Sequence, residues 1–418
     1  MNGFETPGRD PEHAGASGWN PAYAGLGTLL AFYVLALAGC EDPNPASPEP
    51  GTVDPAASEL LGGTAVSRQE SALRLYTRNV FLGGDTDPLF TLDFQDTSPR
   101  NLVAIVTAVN TFWGQVQATD FPARAAAIAD DIARTRPHVV GLNEMARYTV
   151  VDATTGALLD RIDFTTVLLD ALSARGLAYR LEIDRDNISS QLPLALGPTG
   201  PTRALAFTLG DVTLVRSDLD VTDKDSDIYR AEAPLSPTVA LRRGWSRVSF
   251  PFEGVTHHVV VTNLESQRLR PVHDGQAAEL IGTVLADLAG PTVVMGDLNS
   301  DAANGPGAPS YTPTYERLLA EGFVDAWLER SGQRDDGFTC CWNPDLKTGT
   351  LDERIDFILV RAPDAAREPD GEALAGSVLM DIRGDEESDR LSGSGLFPTD
   401  HAGLFASVNL PRVLRGDR

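Results

Sequence analysis

Pro291-Thr292-Val293-Val294-Met295-Gly296-Asp297-Leu298-Asn299 is the stretch on which the reading of the fold turns. Thr292 to Met295 is a short apolar, β-branched run, and it stops at Gly296. A carboxylate and a carboxamide follow, two residues apart. A buried strand that ends in Gly-Asp-x-Asn carries both polar side chains at its C-terminal edge, where layered α/β proteins usually bind ligands. Alone, the pattern is also ordinary turn chemistry, because Asp and Asn after Gly favour turns. What separates the two readings is whether other strands end in the same way.

Several do. Ser71–Val80 alternates around Leu73, Leu75 and Thr77 and ends in Asn79, before the acidic loop Gly83–Asp87. Asp120 is a candidate helix N-cap with Pro122 in the first turn, and Ala125, Ile128, Ala129 and Ile132 continue at helical spacing to Pro137. His138–Leu142 is the next expected strand, ending in Asn143-Glu144. A short helix around Val167–Leu172 stops at Gly176, and Ala178–Ile183 is a strand. Leu192–Gly200 reads as a Pro/Gly loop. Leu205–Leu209 and Val212–Val215 read as a hairpin about Gly210-Asp211, and Asp218–Asp227 as an acidic surface loop. Trp245–Phe250 and His257–Asn263 form a second expected hairpin. Ala277, Leu280, Ile281, Val284, Leu285 and Leu288 mark an amphipathic helix leading into the opening strand. Thr314–Leu319 is a short helix, Arg354–Val360 a strand, Gly371–Gly395 a loop, and Leu404–Leu410 a final strand after Asp400-His401.

The chain has 418 residues and a formal net charge of −25. So acidic a chain disfavours non-specific nucleic-acid binding, which needs a basic surface. It does not exclude phosphate chemistry, because bound divalent cations invert the local sign. No P-loop, no GxGxxG after a strand, no HExxH and no GxSxG is present. Residues 1–70 do not read as folded. Residues 14–39 are uncharged, with an apolar core at Leu29–Leu37, and they run into Leu37-Ala38-Gly39-Cys40. This is a signal-type segment over 1–40 that resembles a lipoprotein lipobox, with Cys40 as the lipidated residue. A plain transmembrane anchor is the other reading. The n-region departs from the pattern, with Arg9 set against Glu5, Asp10 and Glu12. Residues 41–70 begin Pro-rich and acidic and read as a tether. The expectation is an exported, membrane-anchored monomer, periplasmic or at the cell surface, whose domain spans residues 71–412. Cys340 and Cys341 are neighbours, and Cα atoms about 3.8 Å apart are too close for an ordinary disulfide. A vicinal bond is the alternative, and the pair lacks the spacing of a zinc motif.

The expected strand ends supply Asn79, Glu144, Asp297, Asn299, Asp356, Asp400 and His401. Oxygen ligands for a hard cation and one imidazole beside carboxylates suit metal-assisted hydrolysis. The ordered set TRNVF, GLNEM, VTNLES, VMGDLNS, ERIDFILV and PTDHAGL resembles the endonuclease/exonuclease/phosphatase superfamily over roughly Leu73–Leu410. That superfamily includes pancreatic-type deoxyribonucleases, apurinic-site endonucleases, neutral sphingomyelinases and inositol polyphosphate 5-phosphatases.

The resemblance implies an α/β (α+β) four-layer sandwich, two packed and mostly antiparallel sheets flanked by helices. It implies hydrolysis of a phosphate ester with Mg²⁺, Mn²⁺ being the alternative. Carried over by position, Asn79 and Glu144 hold the metal, and Asp400 supports the metal or His401. Asp297 orients or deprotonates the attacking water. Asn299 contacts the phosphate or positions the nucleophile. His401 contacts the phosphate or donates a proton, with Asp356 fixing its ring. Asn263 stands where many members have a phosphate-contacting His, and Asn143 where Gln is common. The implied substrate is a phosphodiester of nucleic acid or a phospholipid headgroup. The alternatives are an inositol-phosphate-type phosphatase and a non-catalytic surface lipoprotein that uses the fold to bind. Trp342, just before the RID strand, either stacks on substrate or packs a hairpin.

Overall fold

The computed structural model describes residues 72–234, 240–330, 336–362 and 378–409. The expected signal-type segment with Cys40 and the tether 41–70 lie outside them. In chain order the strands are β1 (Leu73–Asn79), β2 (Val139–Asp152), β3 (Leu158–Asp163), β4 (Tyr179–Gly197), β5 (Gly200–Arg216), β6 (Asp223–Ile228), β7 (Ala233–Pro234), β8 (Ala240–Leu241), β9 (Gly244–Phe252), β10 (Val255–Thr262), β11 (Thr292–Asp297), β12 (Val324–Asp325), β13 (Cys340–Trp342), β14 (Gly349–Glu353), β15 (Asp356–Arg361), β16 (Val378–Arg383) and β17 (Gly403–Val408).

Among the described residues, the first sheet has the order β16-β17-β1-β2-β5-β4, with β3 paired to β2, and the second has β12-β15-β11-β10-β9-β6. Each sheet is antiparallel except for one parallel pair, β1 with β2 and β10 with β11. Side chains alternate between the faces of a strand, and here both faces are covered. In β11, Val293 and Met295 join Leu73, Leu75 and Val139 of the other sheet in the central core, while Val294 faces outward. Val294 packs there with Leu280 and Val284, which follow the helix Arg270–Glu279, and with Leu318 of the helix Thr314–Ala320. The outer face of the first sheet is covered by the helices Pro99–Ala118, Phe121–Thr135 and Phe164–Ser173, through Phe112, Ile128, Phe164 and Leu168. Burial on both faces explains why Val293-Val294-Met295 is apolar at every position. The layering is the four-layer α/β arrangement the sequence implied.

Gly141 lets the two sheets approach closely. A Cβ there would lie 2.7–2.9 Å from side-chain atoms of Val261 and Met295.

Several sequence expectations change. The strand from His138 does not end at Asn143-Glu144. β2 runs to Asp152, with a register break between Leu142 and Met145 and Glu144 at φ +59°. The pair sits in a bulge, which bends the strand and re-aims Glu144. Leu192–Gly200 is not a loop, because it holds the end of β4 and the start of β5. Gly210-Asp211 is not a turn either. β5 passes straight through it, and Gly210 is required because a Cβ would meet the Arg185 carbonyl oxygen at 1.9 Å. Part of the Asp218–Asp227 segment is the edge strand β6, whose Asp223 pairs with Arg247 across the sheet. β16 lies within the expected loop Gly371–Gly395. The amphipathic helix before β11 gives way to a single π turn at Leu280–Val284 and does not extend to Leu288.

Candidate active site at one end of the sandwich

The polar strand ends meet at one edge. Asn79 closes β1 and lies in register with Asn143 on β2. Asp297 closes β11 opposite Asp356, the first residue of β15. Asn263 follows β10, and Asp400-His401 precede β17. The first sheet therefore brings Asn79, Glu144, Asp400 and His401, and the second brings Asn263, Asp297, Asn299 and Asp356. Five of these eight, Glu144, Asn263, Asp297, Asn299 and His401, line a cleft of about 1380 Å³.

The amides hold the edge together. Asn143 Oδ1 accepts from the Asp297 amide at 3.1 Å, while its Nδ2 donates to Asp211 at 2.8 Å. One side chain thus bridges the two sheets. Asn79 Nδ2 donates to Asp297 Oδ2 at 3.2 Å, and Asn79 Oδ1 accepts from the Phe81 amide. Asp297 Oδ1 accepts from the Asn299 amide at 2.9 Å, and Asn299 Nδ2 donates to the Leu264 carbonyl at 2.8 Å. Gly296 makes this turn possible, with φ +130° and a Cβ position only 2.0 Å from the Thr262 carbonyl oxygen. The glycine of GDLNS is therefore a condition of strand packing as well as of turn geometry.

Asp356 Oδ2 lies 2.8 Å from His401 Nδ1. Arg354, the near neighbour in the RID motif, pairs with Asp325 instead and leaves Asp356 to the histidine. Burial pulls the imidazole toward neutrality, but Asp356, Asp400 and Asp297 outweigh it and hold His401 well above the usual histidine range. Burial and the Asp356 charge push Asp297 up to about 7, against the opposing pull of His401. Burial pushes Asp400 up to about 7 as well, with Glu144 adding to the shift and His401 opposing it. A site whose carboxyls resist ionisation is short of positive charge.

That shortage bears on the metal. Asp356 Oδ1 and Asp400 Oδ1 are buried with no hydrogen-bond partner, although the second carboxylate oxygen of Asp356 is fully engaged. Carboxylate and carboxamide oxygens dominate the donors around them, as suits a hard divalent cation, with the His401 imidazole beside them. Asp297, Asp356 and His401 can each offer a ligand atom within 4.8 Å of the others. The residues fit a divalent ion, which Glu144, Asn79 and Asp400 would help to hold from the first sheet.

Three residues here were not singled out by sequence. Asp211, pushed up to about 6 by burial, lines the cleft and is held by Asn143 and Asn187. Its signal was the Gly-Asp pair of β5, which was read as a turn. Arg243 lines the cleft between Glu265, Glu144 and Asp297, whose charges outweigh burial and raise its pKa. Arg124 is fully buried and clamps two loops. It donates to the carbonyls of Val80, Phe81, Thr119 and Pro398, so it ties the segment after Asn79 to the segment before His401. An arginine on an alternating helix face carries no such signal in sequence. Trp342 takes the packing role, stacked on Phe397 with centroids 3.9 Å apart and donating to the Gly384 carbonyl.

A four-layer α/β sandwich thus carries an acid, amide and histidine cluster at one end. The model of the endonuclease/exonuclease/phosphatase family matches residues 108–401, more than half of the chain, and the chain belongs to that family. Its members are generally hydrolases of phosphate esters and typically depend on a divalent metal. Similar solved structures include an endonuclease/exonuclease/phosphatase family protein from Leptotrichia buccalis, with TM-score 0.46 and 15% identity over 81% of this chain and 99% of that one. Another is the endonuclease/exonuclease/phosphatase from Beutenbergia cavernae, with TM-score 0.46 and 17% identity over 82% of this chain and 72% of that one. A third is truncated TDP2 of Caenorhabditis elegans, with TM-score 0.43 and 18% identity over 81% and 97%. Comparison with curated protein sequences gave no match.

Proposed function

We propose that this chain is a Mg²⁺-dependent phosphodiesterase, with Mn²⁺ as the alternative ion, acting outside the cytoplasm from a lipid anchor at Cys40. The observation that carries the catalytic part is the convergence of Asp297, Asp356 and His401 within 4.8 Å of one another, with Asp297, His401 and Glu144 lining one cleft and Asn79 bonded to Asp297.

The chain's own groups divide the work. Asp297, pushed up to about 7, is matched to accepting a proton from an attacking water near neutral pH. The Asn79 and Asn299 hydrogen bonds fix its carboxylate. His401, kept cationic by the carboxylates around it, donates to a phosphoryl oxygen or to the leaving oxygen through Nε2, because Nδ1 is occupied by Asp356. Asn263 and Arg243 border the place where the phosphate would lie, and Arg243 supplies a cation where Asn263 cannot. When bound, the divalent ion polarises the phosphoryl oxygen and offsets developing negative charge.

The substrate we propose is a phosphodiester of nucleic acid or of a phospholipid headgroup. The cleft runs from the polar floor to an apolar wall of Leu82, Leu89, Phe94, Phe112 and Leu209. That wall and the net charge of −25 favour an ester with an apolar substituent over a long polyanion.

The test is hydrolysis of bis-p-nitrophenyl phosphate against p-nitrophenyl phosphate, with Mg²⁺, Mn²⁺ or a chelator. Metal-dependent cleavage of the diester is the expected result. Cleavage of the monoester alone would replace the diesterase reading with a phosphatase, and no turnover of either with any metal would count against hydrolysis.

A further inference from the structure

Two sulfurs stand at the edge of the site, and the proposed reaction uses neither. Cys340 and Cys341 form a vicinal disulfide that lines the cleft. Cys340 Sγ lies 3.6 Å from His401 Nε2, and Cys341 Sγ lies 3.7 Å from it. No other element separates them from the imidazole. The backbone holds the sulfurs there independently of the S–S bond. The Cys340 neighbour Thr339 accepts the Ile355 and Asp356 amides on its hydroxyl, and the Trp342 amide donates to the Asp400 carbonyl at 2.8 Å. The Cys pair is therefore anchored to the two segments that carry Asp356 and His401.

We propose that, when the disulfide is reduced, Cys340, Cys341 and His401 Nε2 form a site for one thiophilic divalent cation such as Zn²⁺, distinct in chemistry from the oxygen-lined Mg²⁺ site beside it. Three features carry this. First, both sulfurs already lie 3.6–3.7 Å from Nε2, near the sulfur–nitrogen separation that Zn–S of about 2.3 Å and Zn–N of about 2.0–2.1 Å set in a tetrahedral site, so that opening the S–S bond has only to spread two adjacent side chains. Second, His401 already has the outer partner that metal-bound histidines use, since Asp356 on Nδ1 leaves Nε2 as the free ligand atom. Third, two sulfurs and one imidazole are a soft set that prefers Zn²⁺ over Mg²⁺.

The bond between the sulfurs decides whether the site exists. Two thiolates on one tetrahedral zinc stand about 3.8 Å apart, so both cannot bind while joined. Reduction by a phosphine passes two electrons to the disulfide. The phosphine takes the oxygen of one water and the sulfurs take its two protons; the cation then displaces those two protons and the Nε2 proton of His401, releasing all three to solvent. Occupancy would take His401 Nε2 away from the phosphate. That consequence rests on the hydrolase reading above, whereas the binding itself does not.

The experiment uses the full chain carrying Cys40→Ser, so that Cys340 and Cys341 are its sole cysteines. Co²⁺ is added as the spectroscopic probe in excess Mg²⁺, to oxidised protein and to protein reduced with a phosphine. The reduced protein should bind one Co²⁺ per chain with a thiolate-to-cobalt charge-transfer band, and the band should vanish on adding Zn²⁺. The oxidised protein should show none. Cys341→Ser, a substitution at the partly exposed sulfur, should lose most of the band after the same reduction. Absence of the band in reduced protein, or an equal band in oxidised protein, would overturn the proposal. Because the oxidised comparison uses the same sequence, misfolding of a variant cannot decide the result. The band is read without substrate, so failure of the hydrolase reading would leave this measurement intact.

Discussion

Each end of the sandwich holds a buried histidine, and the two are in opposite states. His138 lies just before β2, at the end away from the cleft. Its Nδ1 accepts the Arg74 amide at 2.9 Å, and Phe252 meets its ring edge-on. Burial, then Arg216 and Arg74, push it down to about 3, so it is neutral. His401 is equally buried, but carboxylates surround it, and they hold it well above the ordinary histidine range. Residue type and burial are shared, so the neighbours decide the role. One histidine completes a backbone hydrogen bond, and the other is a cation aimed into a cleft.

The sharpest way to break this contrast is to remove a group at each end. Asp297→Ala should lower the metal-dependent rate by about 10²–10⁴, the usual loss of a positioned acid or base, while the protein still melts cooperatively. His138→Phe should leave the rate per folded molecule unchanged. A rate loss at His138, or none at Asp297, would dissolve the distinction. Arg124→Met should cost about 3 kcal/mol or more in a denaturant titration, because it strands several buried carbonyls. It should also lower the rate, since its clamp joins the loops of Asn79 and His401. A rate that stays at wild type in the folded variant would show that the clamp positions nothing. His138→Phe should cost less, about 1–3 kcal/mol, by leaving the buried Arg74 amide without an acceptor.

The smallest effects are the slopes with pH, and they have opposite signs. Asp297 and Asp400 have folded-state values of about 7 against an ordinary 3.8. Between those values the native state holds protons the unfolded chain has released, so in the metal-free protein these two groups contribute stability that is lost as pH rises from about 4 to about 7. Mg²⁺ should flatten that slope, and Asp297→Asn should reduce it. His138 acts in the other direction. Its folded value lies below its unfolded value, so its contribution is present above about 6.5 and is lost as pH falls toward about 3. Melting temperatures across pH, with and without Mg²⁺, resolve both. A slope unaffected by Mg²⁺ would mean that the site carboxyls are not what the ion binds.

The sequence was most legible where one strand did one thing. The apolar runs of β1, β10 and β11 and the polar groups at their ends could be read directly, because a doubly covered strand is apolar throughout and stops abruptly at the cleft. It was least legible where a local pattern had two physical causes. Gly210-Asp211 has the composition of a turn, yet the glycine answers to the Arg185 backbone across β4 and the aspartate to Asn143. Asn143-Glu144 resembled a strand end because a bulge and a terminus both place a polar pair after an apolar run. Arg124 could not be found from periodicity, since its partners are carbonyls from loops distant in sequence. The helix Pro99–Ala118, capped by Ser98, went unassigned because its polar outer face and scattered core residues blur the apolar stripe.

The most direct test of the central claim compares wild type with Asp297→Asn in two readings from one preparation, namely diester hydrolysis in Mg²⁺ and metal-free melting temperature at pH 8. Removing a buried, charge-crowded carboxylate should abolish most hydrolysis and raise the melting temperature, the signature of a group kept for chemistry at a cost to stability. A variant that hydrolyses like wild type, or that loses activity only because it melts lower, would contradict the assignment of this end of the sandwich as the catalytic one.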